Sequence, residues 1–339
     1  MMILSGDPPR SRTLSVLLVI IILALLATPF IFPGAKALNV AAKICIFAAL
    51  VASYDLLLGY TGSVSFAHTM FYGIGSYAIA IALYGLGPNW TSVAVAVAAG
   101  LPLALLLALA IGLFSLRVEA IFFAMITLAV ASAFLVLASQ LSWLTGGEDG
   151  RSFQLPELLR PGTVFIGKEW FGFPINGRIL TYYLVLSACA LMILALLRVV
   201  NSPFGRVLQA IRDAESRVMF SGYNPLPYKL TIWTLSAVMC GIAGALYVPQ
   251  VGIINPSEMS PASGIEIAIW AAVGGRATLI GPIIGAFFVN GAKSWFTVAF
   301  PEFWLYFLGA LFILVTLFLP DGIVGGVKKL LNKNAEVKA

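Results

Sequence analysis

Apolar residues along this chain come in long runs separated by short polar punctuation. Ten such runs stand out, at 13–32, 37–58, 66–85, 91–115, 118–140, 179–199, 230–250, 263–275, 277–296 and 303–320. A helix rises about 1.5 Å per residue, so roughly 20 apolar residues cross a hydrocarbon core of roughly 30 Å. Inside that core a helix pairs its own backbone N–H and C=O groups, which makes helices the expected element for every run. The expected fold class is all-α, a polytopic membrane protein of about ten transmembrane helices.

Two places break the pattern of simple spans. Gly59-Tyr-Thr-Gly-Ser-Val-Ser-Phe-Ala-His-Thr69 joins the second and third runs with small, hydroxylated residues, and the run from Gly264 to Gly275 is short before Arg276 ends it. Interrupted helices at membrane depth are tolerated where they line a cavity or lie buried in protein, and paired ones point to a substrate path and an inverted repeat. Spans two to five and seven to ten start from opposite sides, as such a repeat requires.

The third departure is NSPFGRVLQAIRDAESRVMFSGYNPLPYKL, residues 201–230. Ser202-Pro203 is a helix start, with Ser as cap and Pro in the first turn. Gly222, followed by Pro225 and Pro227, is a stop. Between them Val207, Leu208, Ile211, Ala214 and Val218 form one helical stripe, while Arg206, Gln209, Arg212, Asp213, Glu215 and Arg217 occupy the rest. This is an amphipathic helix. Two roles suit it: lying on a lipid surface, or docking a soluble partner. Asp213 and Glu215 weigh against the first, because anionic headgroups repel them.

Composition sharpens the class. The 339 residues are 60% hydrophobic and 10% charged, with a mean hydropathy of +1.00, far outside the globular range. The net charge of +6 is read by location, since Lys and Arg set orientation. Arg10, Arg12, Arg117, the 201–229 segment and Lys328, Lys329, Lys333 and Lys338 all fall on one side of a ten-span chain, the cytoplasmic one. The expected plan is a cytoplasmic N-terminus (1–12), a membrane domain (13–327) with an external loop (142–178) and a cytoplasmic coupling segment (201–229), and a cytoplasmic tail (328–339). Arg10 and Arg12 before the first run imitate a signal peptide, but that run exceeds the usual 7–15 residues of a signal core, so a retained first span is expected. With no arginine-rich tract, nucleic acid is not an expected partner.

Candidate chemistry is sparse. Cys45, Cys189 and Cys240 are odd in number, lie in apolar runs and form no CxxC, so neither a disulfide framework nor zinc is expected; no cofactor is implied. Gly162-Thr-Val-Phe-Ile-Gly167-Lys168 resembles a phosphate loop, but Glu169 stands where Ser or Thr would hold magnesium, and no strand-to-helix frame surrounds it. ATP binding by this chain is not expected. His68 is the single histidine, and an isolated intramembrane histidine is more often a packing residue than a base. Ser65 lies one turn away, but neither a third orienting group nor an oxyanion hole accompanies the pair, and HExxH is absent. Asp55 sits on a span, where an ionisable group marks either function or a helix–helix hydrogen bond. Arg276 reads as a cytoplasmic anchor, and Glu266 is open. Thr61, Ser63, Ser65 and Thr69, with Asp55 and His68, form the candidate substrate pathway.

The segment AIRDAESRVMFSGYNPLPYKL resembles the cytoplasmic coupling loop of ABC importer permeases, with Glu215 and Gly222 at the Glu-Ala-Ala…Gly positions. The chain as a whole resembles the branched-chain amino acid permease family, through DLLLGYTGSVSFAHTMFYGIGSYA (55–78), LTGGEDG (144–150), NSPFGRVLQAIRDAE (201–215) and AVGGRATLIGPIIGA (272–286). Within it, LYVPQVGIINPSEMSPA (246–262), IEIAIWAAVGGR (265–276) and the segment 293–325 resemble the second permease of the urea-transport branch, as does Asp55 in place of Asn. Thr69, where Gly is usual, and Asp321, where Lys is common, depart from the pattern. The resemblance implies a type II ABC importer permease in the bacterial inner membrane. Its partners would be a homologous second permease, two ABC ATPase subunits, a periplasmic binding protein and the lipid bilayer. Arg206, Arg212, Asp213, Glu215, Arg217 and Gly222 would couple the ATPases to transport, with urea or a short amide the expected substrate and a branched-chain amino acid the alternative; the rival of another class is an ATP-independent channel or secondary carrier, which needs no such docking helix. A neutral substrate such as urea calls for hydrogen-bond partners without a fixed ion pair.

Overall fold

The computed structural model describes residues 12–31, 34–160, 162–166, 175–300, 302–318 and 322–326. Among them the helices are α1 (Arg12–Ile31), α2 (Ala35–Thr61), α3 (His68–Gly85), α4 (Trp90–Ser115), α5 (Ala120–Gln140), the one-turn α6 (Ser142–Thr145), α7 (Gly177–Val200), α8 (Pro203–Phe220), α9 (Pro225–Val251), α10 (Pro261–Gly274), α11 (Ile280–Ala299) and α12 (Trp304–Phe318). Ten of these occupy the ten apolar runs, and the fold is that of an all-α polytopic membrane protein. Taken singly, α2, α4, α5, α7 and α9 are long and apolar enough to cross a membrane. The 14 residues of α10 reach only roughly 21 Å, so it relies on its neighbours α2 and α11.

Packing is arranged for lipid. In α4 the buried positions are Ser92, Ala96, Gly100, Ala104, Ala108, Gly112 and Ser115, one small-residue stripe along the helix. Its large residues face outward, with Leu106 64% and Phe114 81% exposed. Small residues let backbones approach closely where lipid is as apolar as any leucine. One tight crossing is α3 on α9, where a Cβ on Gly75 would land on the Gly241 carbonyl and one on Gly244 would strike that of Tyr72. At the centre, α2 is buried along almost its whole length from Leu38 to Thr61 and packs against α7, α9, α10 and α11.

Four short strands, β1 (Arg151–Ser152), β2 (Val164–Ile166), β3 (Ile175–Asn176) and β4 (Ile253–Ile254), gather at one end of the bundle. There β1 pairs antiparallel with β4, and β2 with β3. This loop end is opposite α8, since α7 runs from one to the other. The N-terminal residues 1–11 with Arg10, the tail 327–339 with its lysines, Gly167, Lys168 and Glu169 of the phosphate-loop imitation, and Asp321 all lie outside the described residues.

Candidate functional site

The amphipathic helix forms where its signals place it. The Ser202 Oγ accepts the Gly205 N–H at 3.4 Å as the helix cap, and Pro203 opens the first turn. Leu208, Ile211 and Val218 are buried, Val207 and Ala214 half-buried, and Arg206, Asp213, Glu215 and Arg217 exposed. At the far end the Tyr223 N–H returns to the Val218 carbonyl at 3.2 Å and the Gly222 N–H to Met219 at 3.0 Å. Gly222 has φ of +87°, the left-handed turn that glycine adopts without penalty. One detail was not legible: Ala214 leaves helical geometry, with φ −161° and ψ 80°. It splits the helix next to the charged residues.

Two of those charges face inward to this chain. The Arg212 Nη1 donates to the Gly59 carbonyl at 2.8 Å, while its Nε meets Asp213 Oδ1 at 2.9 Å. The Lys229 Nζ of α9 donates to Glu215 Oε1 at 2.7 Å. Arg206 and Arg217 remain on the outer face. Beside them Met219 is 55%, Phe220 93% and Tyr223 51% exposed. These three were missed, although Phe220 falls off the apolar stripe, and that is the sequence signal that could have found it.

Gly59 lies where the central helix stops. After Thr61, Gly62 turns left-handed at φ +73°, residues 62–67 are not helical, and α3 begins at His68. A Cβ on Gly59 would strike both the Ala277 backbone and Asp55 Oδ1, and that carboxylate oxygen receives the Ala277 N–H at 3.3 Å. Ala277 itself, in the turn between α10 and α11, is held at φ +61°. The two interrupted regions therefore meet, and Arg212 of α8 grips the meeting point.

The candidate pathway residues do not share one surface. Ser65, His68 and Thr69 are 1% exposed, and Thr61 and Ser63 only 6% and 7%. The Thr61 hydroxyl donates to Leu57 O at 2.6 Å, the Thr69 hydroxyl to Phe66 O at 3.3 Å, and Ser65 Oγ accepts the Ala67 N–H at 3.2 Å. His68 is built into the core: Nε2 lies 2.8 Å from Ser236 Oγ, which donates to Ser53 O at 2.6 Å, tying α3, α9 and α2 together. The Tyr54 and Trp233 rings meet its ring edge-on at 4.9 and 5.4 Å. These short hydroxyl side chains bond to backbone groups close by in the chain.

A cavity of about 480 Å³ at the α8 end is lined by Thr61, Ser63, Arg117, Glu119, Arg212 and Lys229, among others. A second, of about 450 Å³, opens at the loop end and reaches inward to Thr69. Its polar lining is Lys43, Glu258, Glu266, Asn290 and Lys293, none of which was singled out as a pathway residue. Lys293 Nζ and Glu266 Oε2 form an ion pair at 2.8 Å. Among the described residues no group of His, Cys, Asp and Glu is arranged to hold a metal.

The family model described as branched-chain amino acid transport system / permease component matches residues 36–316. The chain is 26% identical over 322 residues to the high-affinity branched-chain amino acid transport system permease protein LivM of Escherichia coli K12, covering 91% of this chain and 74% of the relative. To LivH of the same organism it is 26% identical over 285 residues, covering 82% and 91%. To BraD of Pseudomonas aeruginosa it is 26% identical over 293 residues, with the same two shares of 82% and 91%. No solved structure matches it.

Proposed function

The chain belongs to the family of branched-chain amino acid transport permease components, and from that premise we propose that it is the membrane-spanning subunit of an ATP-driven importer in which α8 carries ATPase motion to the break after α2. The observation that carries this reading is the Arg212–Gly59 hydrogen bond of 2.8 Å. It links the amphipathic helix α8 to the point where the central span stops. A helix that served only as a lipid-surface element would have no need of that grip.

One of two ABC ATPase subunits docks on α8, a homologous second permease completes the membrane unit, and a periplasmic binding protein delivers substrate to the loop end. The loop end is then external and the α8 end cytoplasmic, as the placement of Arg117, Arg206 and Arg217 supports. ATP is hydrolysed by the partners and not by this chain, which contributes motion and a route.

The substrate read first is a branched-chain amino acid, which the relatives' names carry. The loop-end cavity suits a zwitterion with an apolar side chain, because it sets Lys and Glu beside Ile44, Phe47, Leu50 and Ile267. Urea is the second reading, carried by the resemblance of 246–262, 265–276 and 293–325, which contain Tyr247, Glu258, Glu266, Trp270 and Lys293 of that cavity. Uptake of labelled leucine and labelled urea into proteoliposomes holding the assembled complex, each with its own binding protein, separates them. Leucine uptake supports the first and urea uptake the second. ATPase subunits that fail to co-purify with the chain would sink the importer reading itself.

A further inference from the structure

The loop-end cavity is more than a gap between helices. Four charged side chains from four separate places in the chain converge on it: Lys43 of α2, Glu258 in the turn before α10, Glu266 of α10 and Lys293 of α11. Their positive and negative charges balance. Lys293 and Glu266 pair at 2.8 Å, the Tyr247 hydroxyl donates to Glu258 Oε1 at 3.2 Å, and the Lys43 ammonium lies 5.6 Å from the centre of the Tyr247 ring. Charges half-buried among aromatic rings cost free energy unless something rewards the arrangement. A structural tie between α10 and α11 accounts for one pair of charges and leaves Lys43 and Glu258 without a purpose.

Two further atoms point the same way. The Trp270 indole N–H and the Tyr72 hydroxyl belong to residues that line this cavity and are only 4% and 3% exposed. Neither has a hydrogen-bond partner among the described residues. Buried polar groups are normally satisfied, so an orphaned donor beside a cavity calls for an acceptor that enters it. Burial pushes the Glu258 carboxyl above its ordinary range, the Tyr247 hydrogen bond and the charges of Lys43 and Lys293 draw it back, and Glu266 adds to the rise. An entering N–H donor would favour the ionised form of that carboxylate.

We propose that Lys43, Glu258, Glu266 and Lys293 form a receiving site for a small ligand whose polar head sets N–H donors beside an oxygen acceptor. The carboxylates of Glu258 and Glu266 take the N–H groups. The ammonium groups of Lys43 and Lys293 take the oxygen. Such a head is shared by the ammonium–carboxylate of an amino acid and the amide of urea. This rests on the importer reading above, in which the loop end faces the binding protein.

The test uses the full assembled complex with Ser294→Cys as a reporter, since Ser294 is exposed at the rim of the cavity and the native cysteines are buried. The rate of labelling by a water-soluble maleimide is measured with leucine or with urea added. One of the two slows labelling, and which one does so identifies the source of the head. Glu258→Gln and Lys43→Gln, each in the reporter background, raise the half-protective concentration about tenfold or more, the loss of one charged hydrogen bond. If neither ligand protects, or if protection is unchanged in both variants, the cluster is a structural tie only and the proposal is overturned. The importer reading is checked separately, by stimulation of ATPase activity in the unsubstituted complex by loaded binding protein, so its failure is distinguishable from failure of the site.

Discussion

The cavity at the α8 end, about 480 Å³, and the one at the loop end, about 450 Å³, both carry charges of each sign but hold them differently. At the α8 end Arg206, Asp213, Glu215 and Arg217 are exposed, and Arg212 alone reaches inward to Gly59. At the loop end Glu258, Glu266, Lys43 and Lys293 are half-buried and backed by Phe47, Tyr247 and Trp270. Exposed charges suit recognition by a protein surface, where complementarity sets register and specificity. Half-buried, paired charges suit a small ligand that replaces water. Between the two ends the junction is closed by His68, Ser236 and Ser53 in one hydrogen-bonded line, with Tyr54 and Trp233 against the imidazole. Under the proposed importer reading, transport would open that plug from one end in response to the other.

The plug should be the most fragile region. Trp233 is fully buried, its Nε1 donates to Ala108 O at 2.7 Å, and Phe71 and Phe123 meet its ring edge-on. Trp233→Ala is expected to cost about 3–5 kcal/mol, seen as a lower thermal-unfolding midpoint and poor recovery of monodisperse protein. Undiminished thermal stability would mean that the plug is loosely packed.

Gly222→Val forces a β-branched residue to φ +87°, a cost of about 1–2 kcal/mol. The chain should still insert, because the flanking spans are untouched, while co-purification of ATPase subunits and transport are lost together. Retention of both would remove the turn from the coupling path.

Glu215→Lys places like charges at the 2.7 Å bridge to Lys229, and adding Lys229→Glu restores opposite charges. Because the pair is partly exposed, its own contribution to stability is below about 1 kcal/mol. If the double variant recovers transport, Glu215 acts within this chain; if it does not, Glu215 meets a partner subunit.

The smallest expected effect on stability comes from Phe220→Ala, within about 0.5 kcal/mol because the ring is 93% exposed. Its ATPase recovery should nevertheless fall. A change in stability without a change in ATPase recovery would reverse the contrast drawn between the two ends.

The spans and α8 were legible because both depend on local signals: apolar runs of bilayer length, a Ser-Pro start and a Gly stop. The break after α2 was legible in its small residues. The hydrogen bonds of Thr61 and Thr69 to carbonyls within four residues were not, because they depend on the local turn of the backbone. Other features depend on contacts far apart in sequence. The partner of His68 lies 168 residues away, that of Arg212 153 residues away, and the four charges of the loop-end cavity are spread from 43 to 293. Glu266 and Lys293 are 27 residues apart on successive helices, and no periodicity within either run brings them together. The substrate was the least legible, since three resembling segments pointed to urea while the relatives transport branched-chain amino acids by name.

The central claim is that α8 moves the break after α2 through Arg212. Arg212→Ala removes the 2.8 Å hydrogen bond to the Gly59 carbonyl without touching the outward face of Arg206, Arg217 and Phe220. Uptake of labelled substrate and ATPase recovery are measured side by side on the assembled complex in proteoliposomes. The account predicts normal recovery of the ATPase subunits with uptake lowered about tenfold or more, as expected for loss of a charge-assisted hydrogen bond at a coupling point. Unchanged uptake together with normal ATPase recovery would contradict it.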